Sequence, residues 1–259
     1  MGKIPHPPPR LEIINELITS SSDNEPTLYF SLNNPNISYL RGGVSLETPA
    51  DFTLRCAVPN SALYAADELT QSLRNTGIEV DEEATTKSNP TEQITQLSVH
   101  HSPTLSKLLQ PFLRISLNMY GEVFVKTIAH HTKQCSLTDA PLFILPTYIK
   151  QLFNSEELLA GVAIRDGSGL SRTSRLSTYA LAQILFRVQK EKWFTDQFFE
   201  AFPTIGGLRM KSGTLMNTVA YAGYIRENFY VFSFMINNYH GEDVTNMRKK
   251  VWDLLGTLK

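Results

Sequence analysis

Cysteine is scarce: Cys56 and Cys135 are the only two in 259 residues. Two thiols build neither a disulfide framework nor, by themselves, a metal site. No Cys-x-x-Cys occurs, and the doublets His100-His101 and His130-His131 point neighbouring side chains in divergent directions. No metal centre is expected from such spacing, and no other cofactor. An excess of charge is lacking too. Twenty-four Lys and Arg stand against 25 Asp and Glu, a formal net charge of -1, which gives no electrostatic case for nucleic acid, a partner that usually needs a clearly basic face. Long apolar runs are missing as well. The stretches around Tyr230–Ile236 and Leu142–Leu145 fall far short of the ~20 residues a spanning helix needs, so no transmembrane segment is expected. The opening Met-Gly-Lys-Ile-Pro-His-Pro-Pro-Pro-Arg has no apolar core of the secretory-leader kind. That reads either as a cytoplasmic protein or as a sequence beginning inside a longer one.

What is present suits a large domain, or one domain with an appendage. After the proline-rich start, Leu11–Leu17 has a short helix-like apolar run. Thr27–Leu32, Ile37–Leu40 and Phe52–Ala57 read as strands, separated by Asn-Asn-Pro-Asn, Gly42-Gly43 and Thr48-Pro49 breaks. From Asn60 the period changes. Leu63, Ala66, Leu69 and Leu73 predict an amphipathic helix stopped at Gly77, with a short strand at Ile78–Val80. Leu105, Leu108, Leu109, Phe112 and Leu113 give a further helix, followed by others over Val123–Ile128 and Leu142–Phe153. Leu158–Ile164 reads as a buried strand, and Arg172–Lys192 as a long helix. Leu215–Ile225 and Phe229–Asn237 read as strands joined at Arg226-Glu227-Asn228, with a closing helix over Val244–Leu258. Strands feeding helices, with a terminal hairpin and helix, predict an α+β fold.

Three short signatures carry chemistry. Ser116-Leu117-Asn118 lies between two helical runs. Asp166-Gly167-Ser168-Gly169-Leu170-Ser171-Arg172 follows an apolar strand and precedes a helix. Lys211-Ser212-Gly213-Thr214-Leu215 opens the terminal hairpin. Each taken singly has an ordinary explanation. Ser-x-Asn occurs three times in the chain, Asp-Gly-Ser-Gly is turn composition, and Lys-Ser-Gly suits a solvated strand entry. Order and context weigh against coincidence, because Ser-x-Asn followed by Lys-[Ser/Thr]-Gly belongs to one active-site set.

The flanking residues narrow the comparison. Val58-Pro59-Asn60 with Tyr64-Ala65-Ala66, His101-Ser102-Pro103 with Leu105, and Ser116-x-Asn118-Met119-Tyr120-Gly121-Glu122 form three blocks. Asp166–Arg172, and Leu208–Leu215 ending in Tyr221-Ala222-Gly223-Tyr224, complete five blocks in order. From about Ala57 onward the sequence resembles the D-alanyl-D-alanine carboxypeptidase/endopeptidases, the class C low-molecular-mass penicillin-binding proteins. The resemblance implies a penicillin-binding, serine β-lactamase-like fold: a mainly antiparallel sheet flanked by helices, with an all-helical lobe around residues 100–155. It implies serine-type acyl transfer on peptidoglycan stem peptides, β-lactams as ligands, and a periplasmic or cell-envelope location. Carried over, Ser116, Asn118 and Lys211 are the catalytic residues. Ser212, Gly213 and Thr214 bind substrate, with Ser212 in place of the commoner threonine. Asp166 and Ser168 hold the turn behind them.

Two departures stand out. The family's nucleophile is a serine three residues before a lysine, so that both lie on one helical turn. From Lys87 onward no lysine has a serine there; the residues found run from Ala84 before Lys87 to Leu208 before Lys211 and Gly256 before Lys259. The loop Phe202–Gly207 is also shorter than the family's. The expectation is therefore that residues 1–50 end an inserted strand-rich accessory region. Residues 51–259 are then a penicillin-binding domain lacking its N-terminal nucleophile segment. The other reading is a non-catalytic relative that binds a stem peptide or a protein partner.

Overall fold

The computed structural model describes residues 10–19, 26–31, 33–34, 36–49, 51–54, 56–86, 95–153, 159–225, 230–240 and 243–257. The chain forms two compact units, Met1–Leu97 and Ser98–Lys259.

In the first unit, β1 (Glu12–Asn15) pairs parallel with β4 (Ile37–Arg41), and β3 (Thr27–Phe30) pairs antiparallel with β4's other edge. Short β2 (Ile18–Thr19) and β5 (Gly43–Val44) make a second ladder. The helix expected over 11–17 is thus corrected to strand. Ile13 and Ile14 are β-branched and stiff at χ1, which suits a pleated ladder better than a helix. Helix α1 (Ser61–Asn75) starts where the Asn60 side chain accepts a hydrogen bond from the Leu63 N–H at 3.0 Å. Among the described residues two expected strands do not form. Around Phe52 the chain turns, with the Phe52 N–H bonded to the Pro49 carbonyl, and the ring is 51% exposed. At 78–80 the Val80 carbonyl is taken by the Arg74 guanidinium instead of a partner strand.

The second unit is built on a four-stranded antiparallel sheet in the order β6 (Thr204–Ile205), β7 (Leu208–Leu215), β8 (Thr218–Ile225), β9 (Tyr230–Asn237). The expected antiparallel pairing of Leu215–Ile225 with Phe229–Asn237 forms as β8 with β9, except that β8 begins at Thr218. Leu215 ends β7 and pairs with Thr218 across a two-residue turn, where Asn217 takes φ 55°. Asparagine tolerates that left-handed conformation, so a β-branched or bulky residue there would be costlier. The 226–228 connection and Phe229 lie outside the described residues.

Strand alternation sends side chains to two faces. Leu208, Met210 and Ile225 pack with Leu255 of α6 (Asp243–Thr257), joined by Val251 and Trp252. Tyr221 meets Trp252 edge-on at 5.1 Å and stacks on Phe234 at 5.0 Å. The opposite face, carrying Ala222 and Tyr224, packs against Leu113 of α2 (Leu105–Arg114), Leu185 and Val188 of α5 (Thr178–Val188), and Phe194, Ala201 and Phe202. Phe194 opens a π-helical turn, Phe194–Phe198, that runs into a 3-10 turn, Phe199–Ala201, and Phe202 ends it. Burial of this kind contributes roughly 1.5–3 kcal/mol per fully buried large apolar side chain. Helices α3 (Asn118–Thr132) and α4 (Ala140–Leu152) complete the helical lobe, with Val125, Ala129, Ala140 and Ile144 as its own small core. The mixed α+β arrangement is the expected one.

Two further expectations are corrected. The strand at 158–164 shrinks to a single bridge between Ala163 and Arg175, and Leu158 lies outside the described residues. The long helix from Arg172 begins only at Thr178. Ser171 and Ser174 are held back by Asp166, and the Ser177 hydroxyl then caps α5 by accepting from the Ala180 N–H.

Candidate active site

The register of β7 decides where its lysine goes. Lys211 stands opposite Ala222, so its side chain leaves the sheet on the α2 and α5 side. Helix α2 is fixed on that side by Leu113, and by the Arg114 guanidinium donating to the Glu200 carbonyl at 2.9 Å. The residues that follow α2 must therefore pass over Lys211. Ser116 does, and its Oγ accepts a hydrogen bond from Lys211 Nζ at 2.5 Å. The same ammonium donates to the Ser212 carbonyl at 2.5 Å. No ion pair involves Lys211 among the described residues, and burial holds its pKa below the ordinary lysine range.

Ser116 sits in the left-handed region at φ 54°. For a serine that conformation costs on the order of 1–3 kcal/mol, a strain commonly kept where function needs it. Asn118 opens α3, half-buried, with its backbone N–H bonded to the Ser116 carbonyl at 2.8 Å. Its side chain makes no hydrogen bond to a described residue. Of the substrate-binding candidates, Gly213 shares the Lys211 face, whereas Ser212 alternates to the α6 side opposite Tyr221. Gly213 and Thr214 are exposed. Beyond Met210, β7 pairs with β8 alone among the described residues, because β6 reaches only Leu208 and Arg209 and the Met210 N–H goes to Pro203. The stretch Lys211–Thr214 thus has an open backbone edge beside the ammonium. A cation, a hydroxyl and main-chain groups without a strand partner among the described residues lie side by side at this edge.

The third motif forms a rigid turn. Asp166 Oδ2 accepts from the Ser168 hydroxyl at 2.7 Å and from the Leu170 and Ser171 N–H groups at 2.6 and 2.9 Å. Its Oδ1 accepts from the Ser174 hydroxyl at 3.1 Å. Burial alone would raise this carboxyl's pKa. The donors from Ser168, Ser171, Ser174 and Leu170 outweigh it and hold the pKa below the usual carboxylate range. Ser168 spends its hydroxyl on Asp166. The loop 202–207 closes as β6 and a Gly206-Gly207 turn, in which both glycines take positive φ.

One residue escaped the motif reading. Glu122 on α3 accepts from the N–H groups of both Gly167 and Ser168 at 3.0 Å, tying the Asp166 turn to the helix that begins at Asn118. The signal was present in Gly121-Glu122, three and four residues after Asn118 and so on its helical face.

Residues 9–207 match the D-Ala-D-Ala carboxypeptidase 3 (S13) family. The chain is 26% identical over 225 residues to a D-alanyl-D-alanine carboxypeptidase of an Actinomadura species, covering 74% of this chain and 40% of that protein. It is 25% identical over 199 residues to the D-alanyl-D-alanine carboxypeptidase DacB of Haemophilus influenzae, covering 72% and 40%. The chain thus spans about two fifths of the length of these relatives. Penicillin binding protein 4 from Haemophilus influenzae superposes with a TM-score of 0.73 at 19% identity, over 95% of this chain and 60% of that one, which establishes the shared fold. With its family spanning three quarters of the sequence and its fold shared with a solved penicillin-binding protein, the chain belongs to the D-Ala-D-Ala carboxypeptidase 3 (S13) family.

Proposed function

We propose that this chain carries the carboxylate-binding and proton-relay part of a serine-type D-Ala-D-Ala carboxypeptidase/endopeptidase site for peptidoglycan stem peptides. The observation that carries the reading is the Lys211–Ser116 hydrogen bond, which joins two motifs 95 residues apart. In this reading Lys211 receives the terminal D-alanine carboxylate together with main-chain groups of Ser212 and Gly213 on the strand's open edge, since the Ser212 side chain leaves on the opposite face, and Thr214 extends that contact. The peptide lies along the open edge of β7 by main-chain hydrogen bonding. Ser116 relays a proton between the lysine and the leaving group, and Asn118 positions the acyl end. Asp166 and Ser168 keep the neighbouring turn in shape. No cofactor takes part.

The covalent step needs a serine activated by a nearby lysine, with the backbone supplying an oxyanion hole. No Ser-x-x-Lys occurs in these 259 residues. In this reading the nucleophile comes from a segment outside the sequence given, residues 1–50 end an accessory region, and residues 51–259 are the penicillin-binding portion. β-Lactams then acylate only when that segment is supplied, and the working location is the periplasm or cell envelope. Among the described residues no helix is long and apolar enough to cross a membrane. The missing motif also favours a second reading, a non-catalytic binder of stem peptides or of a protein partner.

A gel after incubation with fluorescent penicillin separates these readings. The expected result is no covalent band on this chain and a band on one extended to include a Ser-x-x-Lys helix. A band on the 259-residue chain would overturn the missing-nucleophile argument. No band on either would favour the binder.

A further inference from the structure

We infer that Glu122 is a positioning residue for the Ser116–Lys211 pair: it locks α3 to the Asp166 turn and so sets where the start of α3 stands over β7. The inference deepens the proposed function and rests on the same site.

Three observations meet at this place. Glu122 Oε1 accepts two successive backbone N–H groups, Gly167 and Ser168, each at 3.0 Å. A carboxylate bridging two adjacent main-chain donors fixes orientation as well as distance, and such charge-assisted bonds are about twice as strong as neutral ones. Gly121 and Gly167 meet backbone to backbone, and a Cβ on Gly121 would lie 2.1 Å from the Gly167 carbonyl oxygen. The helix and turn therefore have no slack at the point Glu122 clamps. The turn is itself rigid, since Asp166 holds four donors from Ser168 to Ser174.

The clamp lies one helical turn from the site. Asn118 and Glu122 are four residues apart on one face of α3, and helical side chains lean toward the N-terminus, so the clamped turn borders the start of α3. Ser116 reaches Lys211 from just ahead of that start, in a left-handed conformation that a loose helix end would not preserve. Neither Glu122 nor Asp166 approaches Lys211 closely enough to form an ion pair. The effect of Glu122 is therefore mechanical. Releasing the clamp lets water reach the ammonium and breaks its contact with Ser116.

The test follows the Lys211 side-chain carbon Cε by NMR through a pH titration of the full chain labelled in lysine, with the resonance assigned by its loss in Lys211→Ala. In the Glu122→Ala variant the Lys211 midpoint is expected to move up toward the ordinary lysine value. Glu122→Asp keeps the charge but shortens the reach, so it should move the midpoint the same way by less and remain folded if the alanine variant does not. Leu255→Ala, in the cluster on the far face of the sheet, loosens the protein without touching the clamp and should leave the midpoint in place. If both Glu122 variants titrate Lys211 as the wild type does, the positioning role is overturned. It is overturned equally if Leu255→Ala moves the midpoint as far as Glu122→Ala. Binding of a diacetylated Lys-D-Ala-D-Ala peptide to the wild type is measured alongside. Its failure would count against the proposed function alone, because the Lys211 titration still decides the role of Glu122.

Discussion

Gly121 and Gly167 stand back to back: a Cβ on Gly121 would fall 2.1 Å from the Gly167 carbonyl oxygen, and one on Gly167 would fall 2.3 Å from that of Gly121. Both obstacles are main chain, which cannot rotate away as a side chain can. Gly121→Ala and Gly167→Ala are each expected to destabilise the second unit by about 2–3 kcal/mol, the upper part of the range for overpacking. Gly161 has nothing within 4 Å of its Cβ position, so Gly161→Ala should stay within about 1 kcal/mol of the wild type. Urea midpoints of the three variants test this; equal shifts would show that the close approach carries no energetic weight.

The strain at Ser116 is measurable by comparing two substitutions that both remove its hydroxyl. Glycine accepts φ 54° without penalty and alanine does not, so Ser116→Gly should be more stable than Ser116→Ala by about 1 kcal/mol. Chemical denaturation gives the difference. Equal stability would mean the serine is relaxed in solution. Both variants should lose the contact with Lys211.

Asp166 links stability to acid. Its folded pKa is lowered, so its contribution is fully present above the ordinary carboxylate pKa and disappears as pH falls through the lowered value. The stability gap between wild type and Asp166→Asn should therefore be widest near neutrality and should close in acid. Urea melts at about pH 6 and about pH 3 decide the point. A gap that does not change with pH would remove the carboxylate's charge from the account.

Lys211 has the opposite sense. Burial lowers its folded pKa, so the folded state binds protons less readily than the unfolded chain does, and stability rises with pH in the window just below the ordinary lysine value. Lys211→Met should be more stable than the wild type at about pH 7, with an advantage that shrinks toward about pH 10. An advantage constant across that window would mean the ammonium is fully hydrated.

Strand β9 pairs with β8 on one side and is the sheet's edge among the described residues. Val231, Phe232, Phe234, Met235 and Ile236 make it an apolar edge with high β-propensity, which invites pairing between copies. Sedimentation of the chain is expected to show concentration-dependent association. A monomer at every concentration would contradict this.

Much was legible along the chain because it is locally encoded. Apolar residues at three- and four-residue spacing mark α1 through α4 and α6, since a helix buries one face whatever lies opposite. The motif order marks the family, because Ser116, Asp166 and Lys211 sit in short contexts whose chemistry constrains their neighbours. Competition between partners is what local pattern does not encode. Leu11–Leu17 has helical spacing, yet β4 offers Glu12–Asn15 a ladder. Phe52–Ala57 has a strand's composition and, among the described residues, no ladder to join. The helix expected from Arg172 loses its first six residues to a carboxylate that precedes it in sequence. The same holds at the site. The residue types were readable, but the Ser116–Lys211 contact spans 95 residues and Glu122 reaches its partners across 45 and 46. Such bonds depend on which face of β7 carries the lysine and on how closely two glycines let a helix and a turn approach. Local pattern sets most of the helices and the chemical groups. Tertiary packing decided which of them meet, because a hydrogen bond needs its atoms within about 3 Å and only the assembled core sets distances that fine.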